Sequence, residues 1–195
     1  WQTAKPTVKG TYRMTALLED KIILVTGASS GIGREAAIMM AEHGAKIVAA
    51  ARRESDLFKT VNQIEANGCR ATYVVTDVTL PEQIERAVQH AVAHFGGLDA
   101  AFNNAGILEP SSSLHEVDEK TFDNVINTNL KGTFLSMKYE IGYMLENGGG
   151  SIVNDSSYMG LRGGTGRQTA YTASKHGLLG LTKSAARDYA QKGIR

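Results

Sequence analysis

"KIILVTGASSGIGREAAIMMAEHGA", Lys21 to Ala45, decides the fold. Ile22 to Thr26 form an apolar, β-branched run without polar alternation, the pattern of a strand buried on both faces. Three glycines follow, Gly27, Gly31 and Gly33. Then comes a helical pattern with Ile38, Met39 and Ala41 on one face and Gly44 as its stop. Glycine permits a tight turn and lets backbone approach a pyrophosphate, and a helix N-terminus offers free N–H groups and a positive dipole end. A plain strand–helix turn also uses glycine. The strand before and the helix after favour the phosphate reading.

The rest of the chain repeats this alternation. Strand-like runs are "KIVAAA" from Lys46, "RATYVVTDV" from Arg70, "LDAAFNNAG" from Leu98 and "SIVNDSS" from Ser151. Between them lie helical patterns. One has Leu57, Val61 and Ile64 in register; another opens with a capping-box pattern, Thr79 and Glu82. One long helical stretch, straight or bent, runs from Glu116 to Gly150, and a last helix begins near Ala170. Fully apolar strands alternating with helices require right-handed crossovers and a covered parallel sheet. The expected fold is therefore α/β: a doubly wound parallel sheet of Rossmann type in three α/β/α layers. Residues 14–195 read as one dinucleotide-binding domain with a catalytic site built in. Residues 1–13 lack periodicity and read as a leader or an expression remnant, with Met14 as a natural start. The chain reads as truncated at its C-terminus, with further strands expected beyond Arg195.

The formal net charge is +1, from 21 basic and 20 acidic side chains, which argues against a nucleic-acid or anionic-membrane surface. No apolar run reaches the roughly 18 residues of a membrane span. The single cysteine, Cys69, excludes an intrachain disulfide and suits a cytoplasmic location.

In sheets of this kind ligands bind beyond the carboxyl ends of the strands. The second strand ends at Ala51, followed by Arg52 and Arg53. A site that holds a ribose 2′-hydroxyl often carries an acid there. A guanidinium suits a phosphate instead. Arg52 thus points to NADP(H). The alternative is solvated surface charge and an NAD(H)-preferring site.

Six segments in order resemble the short-chain dehydrogenase/reductase family: "TGASSGIG", Asp77–Val78, "NNAG" at Asn103–Gly106, "NTNLKG" around Asn129, Ser156–Ser157 and "YTASK" from Tyr171. The glycine spacing matches its main branch, which includes 3-oxoacyl-carrier-protein reductases and glucose dehydrogenases, rather than the extended branch. The resemblance implies a cofactor site made of Gly27, Ser29, Ser30, Gly31, Ile32, Gly33, Arg52, Asp77, Val78, Asn104, Ala105 and Gly106, with Tyr171 and Lys175 also reaching the cofactor. It implies a catalytic set of Asn129, Ser157, Tyr171 and Lys175. Ser157 is preferred to Ser156 because it stands three positions before Gly160. Asp155 departs from the family pattern, which has an apolar or small residue there. The family also implies a homotetramer or homodimer and a small carbonyl or alcohol substrate. No metal is expected.

The chemistry fits those residue types. Tyr171 and Lys175 stand at i and i+4 and project from one helix face. A nearby ammonium lowers a phenol pKa and makes it a better acid and base near neutral pH. Ser157 can hold the substrate oxygen, and Asn129, a misfit within a helical run, can support a proton relay. The pair alone is ordinary on a helix surface; its placement after the other segments gives it meaning. The function expected is interconversion of a secondary alcohol and a ketone by hydride transfer. The alternative is a nucleotide-binding regulator on the same fold without turnover. His90 and His94, four apart, read as a solvated helix face.

Overall fold

The computed structural model describes residues 16–163 and 166–195. The expectations for residues 1–13 and Met14 lie outside the described residues. Five strands, β1 (Ile22–Thr26), β2 (Lys46–Ala51), β3 (Arg70–Val75), β4 (Ala100–Asn103) and β5 (Ser151–Asn154), form one sheet. Its order is β3-β2-β1-β4-β5, with every pair parallel. The order reverses between β1 and β4, so the chain ends of these two strands flank the crevice where such sheets bind ligands.

Period-two alternation divides β1 between two cores. Ile23 and Val25 pack with Ala37, Ile38 and Ala41 of α1 (Gly31–Glu42) and with Leu57, Val61 and Ile64 of α2 (Glu54–Ala66). Ile22 and Leu24 pack on the opposite face with Ala87, Val88 and Ala91 of α3 (Pro81–Phe95) and with Met137, Ile141 and Met144 of α5 (Gly132–Glu146). The result is the expected three-layer α/β/α architecture.

Three local expectations are corrected. Met39 is 60% exposed, because the buried stripe of α1 runs through Ala37, Ile38 and Ala41. The capping box at Thr79 and Glu82 does not form. Leu80 is the N-cap and Pro81 opens the helix, which leaves Thr79 one residue too early. Its N–H and hydroxyl both donate to Asp77 Oδ1, at 2.9 and 2.7 Å. The long helical stretch divides into α4 (Glu119–Ile126), a π-helical turn (Asn127–Lys131) and α5. Such a turn puts an extra residue in the helix, a feature common at functional sites. Asn129 sits at its centre, 1% exposed.

Candidate active site

The loop from β1 to α1 is built against the segment after β4. Asn104 Nδ2 donates to the Thr26 carbonyl at 3.0 Å, and the Asn104 and Ala105 N–H groups donate to Thr26 Oγ1 at 3.1 and 3.2 Å. A side chain at Gly33 would place Cβ 2.6 Å from the Gly27 carbonyl oxygen, so only glycine lets the helix start this close to the strand. Gly31 has φ of +56°, and a Cβ there would project into open space. The first turn of α1 has no side-chain cap and no acidic residue, which leaves its amide groups available to an anion.

A cleft of about 400 Å³ opens over this loop. Of the residues expected to hold a dinucleotide, Gly27, Ser29, Ser30, Ile32, Arg52, Asp77, Val78, Asn104, Ala105 and Gly106 line it; Gly31, Gly33, Tyr171 and Lys175 do not. Ile107 and Thr128 also line it and were not expected. Arg53 is the guanidinium that reaches the glycine loop. Its Nη2 donates to Ser30 Oγ at 2.8 Å and Ser29 Oγ at 3.2 Å, while Nε pairs with Asp56 at 2.9 Å. The alternation of side chains along an extended segment separates the two arginines, which sequence alone could not orient. The cradle and the uncapped helix start suit the phosphates of a dinucleotide.

The next helix, α6 (Thr169–Tyr189), carries Tyr171, half-buried, and Lys175, 4% exposed. Lys175 Nζ donates to the Asp155 carbonyl at 2.5 Å and lies 5.4 Å from the centre of the Tyr171 ring. Burial pushes the Lys175 pKa below its ordinary value, opposed by the Asp155 charge. Ser156 and Ser157 diverge. Ser156 Oγ lies 3.5 Å from the Lys175 carbonyl, against the α6 backbone, at a point where Gly160 leaves no room for a Cβ. Ser157 caps the short helical turn Tyr158–Gly160, its Oγ accepting the Met159 N–H at 3.2 Å. Among the described residues no hydrogen bond joins Ser157 to the Tyr171 phenol.

Asn129 bonds outward from the π turn. Its Oδ1 accepts the Ile107 N–H at 2.8 Å, and its Nδ2 donates to the Ile107 carbonyl at 2.9 Å and to Ser174 Oγ at 3.2 Å. One amide thus clamps a cleft-lining residue to the helix of Tyr171. Glu109, which sequence reading did not single out, is 4% exposed, and both its carboxylate oxygens accept the Tyr171 N–H at 3.1 Å. An isolated Glu in a loop carries no periodic signal. His90 and His94 stack at 5.7 Å, and His90 Nε2 pairs with Thr72 Oγ1 at 3.0 Å.

A parallel sheet, a glycine cradle at its switch point and a Tyr–Lys helix beside the cradle define a dinucleotide-binding oxidoreductase architecture. Residues 21–195 match the short chain dehydrogenase family. The chain is 47% identical over 180 residues to the A-factor type gamma-butyrolactone 1'-reductase (1S-forming) of Streptomyces virginiae, covering 92% of this chain and 70% of that protein. It is 42% identical over 182 residues to the cyclohexanol dehydrogenase of Acinetobacter sp. (strain SE19), covering 93% and 72%. A crystal structure of a short-chain type dehydrogenase/reductase from Mycobacterium marinum superposes with a TM-score of 0.89 at 32% identity, covering 93% of this chain and 76% of that one. The chain belongs to the short-chain dehydrogenase/reductase family and is an oxidoreductase of the alcohol dehydrogenase and carbonyl reductase kind, with a nicotinamide dinucleotide as cofactor. Among the described residues no helix is long and apolar enough to cross a membrane.

Proposed function

We propose that this protein is an NADP(H)-dependent oxidoreductase that interconverts a ring-bearing secondary alcohol and its ketone. The observation that carries this reading is the Lys175 ammonium on the Asp155 carbonyl, which ties the helix of Tyr171 to the segment two residues before Ser157. The bound nicotinamide supplies the hydride chemistry. Tyr171 gives a proton to the nascent alkoxide in reduction and removes it in oxidation. Lys175 lowers the cost of the phenolate and would hold the cofactor ribose. Ser157 holds the substrate oxygen, and Asn129 keeps the Ile107 segment and the helix of Tyr171 in register. The ring-bearing substrate class is supported by the names of the butyrolactone reductase and cyclohexanol dehydrogenase relatives. A panel of cyclic ketones and alcohols, followed by nicotinamide absorbance, tests it. Turnover of a cyclic ketone with NADPH is expected; turnover of acyclic carbonyls alone would overturn the substrate class.

The NADP(H) preference rests on Arg52 and Arg53 at the cleft. Arg53→Ala removes the guanidinium above Ser29 and Ser30. It should weaken NADPH binding by about tenfold to a hundredfold, the worth of one or two charge-assisted hydrogen bonds, and leave NADH within about threefold. Arg52→Ala should act in the same direction. Fluorescence titration with both cofactors checks this, and equal losses for NADPH and NADH would refute the phosphate assignment.

We assign a cytoplasmic location and a homodimer or homotetramer. Phe134 and Leu145 on α5, 48% and 41% exposed, border a groove against Leu181, Ala185 and Tyr189 of α6, an apolar face suited to a second copy of the chain.

A further inference from the structure

A helix leaves its first amide groups without partners inside the helix. In α6 the N-cap is Gln168, whose side chain makes no capping bond. The acceptor comes from 62 residues upstream. Glu109, in the segment between β4 and α4, places both carboxylate oxygens 3.1 Å from the Tyr171 N–H. The carboxylate is almost fully buried, and burying a charge costs free energy unless it is bonded. Here its acceptor capacity is spent on the one residue of the helix that the proposed reaction uses as an acid.

The same segment is tied down on both sides of Glu109. Ile107 is held through its N–H and carbonyl by Asn129. Ser111 Oγ donates to the Gly166 carbonyl at 2.9 Å, and the Ser112 N–H donates to the Arg167 carbonyl at 3.0 Å. Residues 107–112 therefore form a strap from the π turn to the start of α6, with Glu109 as its charged contact.

We infer that Glu109 is a positioning residue for Tyr171: its buried carboxylate caps the helix at the amide of Tyr171 itself, fixing where the phenol stands and what charge faces it. This rests on the proposed role of Tyr171. The charged groups that meet this turn of the helix are Lys175, 5.4 Å from the centre of the Tyr171 ring, Asp155 beside Lys175 from the end of β5, and Glu109 on the Tyr171 N–H from the strap. Lys175 favours the phenolate. Glu109 opposes it, both as an anion and by offsetting the positive end of α6.

The test uses the whole protein labelled at tyrosine Cζ, with the Tyr171 resonance assigned by its loss in Tyr171→Phe. Glu109→Gln keeps an acceptor and removes the charge; Glu109→Ala removes both. In each, the midpoint of the Tyr171 titration should fall by a few tenths to about one pH unit. Amide exchange at Tyr171 should speed by about tenfold or more in Glu109→Ala and by much less in Glu109→Gln. A lowered melting temperature with an unmoved Tyr171 titration in both variants would overturn the inference and leave Glu109 a structural cap. If Tyr171→Phe keeps full turnover while the titration shift is present, the catalytic assignment of Tyr171 fails and the electrostatic link from Glu109 stands.

Discussion

Tyr171→Phe is expected to lower kcat by about 10³-fold, within the roughly 10²–10⁴-fold contributed by general acid–base groups. At about 1.4 kcal/mol per factor of ten this is about 4 kcal/mol of barrier. The variant removes one oxygen. Phenylalanine keeps the ring over which Lys175 Nζ sits at 5.4 Å, and the backbone N–H that Glu109 accepts is untouched. The fold should therefore persist, and NADPH affinity should stay within about threefold, since the cleft is lined by the glycine loop, Arg52, Arg53 and the Asn104–Ile107 segment rather than by Tyr171. Hydride delivery to a ketone leaves an alkoxide that needs a proton. Lys175, the buried cation nearby, points one N–H at the Asp155 carbonyl. Steady-state rates with a cyclic ketone, alongside NADPH fluorescence, separate the two effects. An unchanged kcat would sink the assignment of Tyr171 as the acid.

The sheet was legible in the sequence because its strands are buried on both faces. Ile22–Val25 and Ile47–Ala50 carry no polar residue, so their burial needs helices on either side, and that requirement fixes the layers. The glycine loop was legible because positive φ at Gly27 and Gly31 restricts the residue type. What escaped reading depends on direction or on contacts distant in the chain. Whether Arg52 or Arg53 turns over the phosphate loop depends on how the chain leaves β2, and either residue type satisfies the pattern. Glu109 meets Tyr171 across 62 residues, and no local periodicity links them. The break in the α4–α5 stretch left only the trace of one asparagine in a helical run; its π turn is set by what Asn129 bonds outside the helix. Asp155, unexplained from the sequence, has its backbone carbonyl on Lys175 and its N–H on the Asn103 carbonyl at 2.9 Å, so its peptide units join the sheet to α6.

Glu140→Gln is expected to stabilise the protein above neutral pH. Glu140 lies on α5 with none of its surface exposed. Its one hydrogen bond is from Asn103 Nδ2 to Oε2, at 2.9 Å. Burial pushes its pKa up to about 7 from 4.5, with the Asn103 bond opposing. Among the described residues, Glu140 Oε1 and Asn103 Oδ1 are both buried without a partner. A carboxylate has no proton to offer; the neutral acid has an O–H to give, and Asn103 Oδ1 is an unpaired acceptor on the residue it already contacts. The sign follows from proton binding. Between pH 4.5 and about 7 the folded state holds a proton that the unfolded state has released, so stability is greatest below 4.5, falls across that window and levels off above it. At about 1.4 kcal/mol for each pH unit separating the two values, the fall is at most about 3 kcal/mol. Glutamine is neutral at every pH and carries an N–H donor in place of the acid proton. The difference in unfolding free energy between Glu140→Gln and the parent should thus be near zero at pH 4.5 and grow to about 2–3 kcal/mol in favour of the variant at pH 8. Taking the difference cancels the titration of every other group. Urea unfolding at several pH values measures it, and parallel stability curves for the two proteins would show that Glu140 stays charged in the fold.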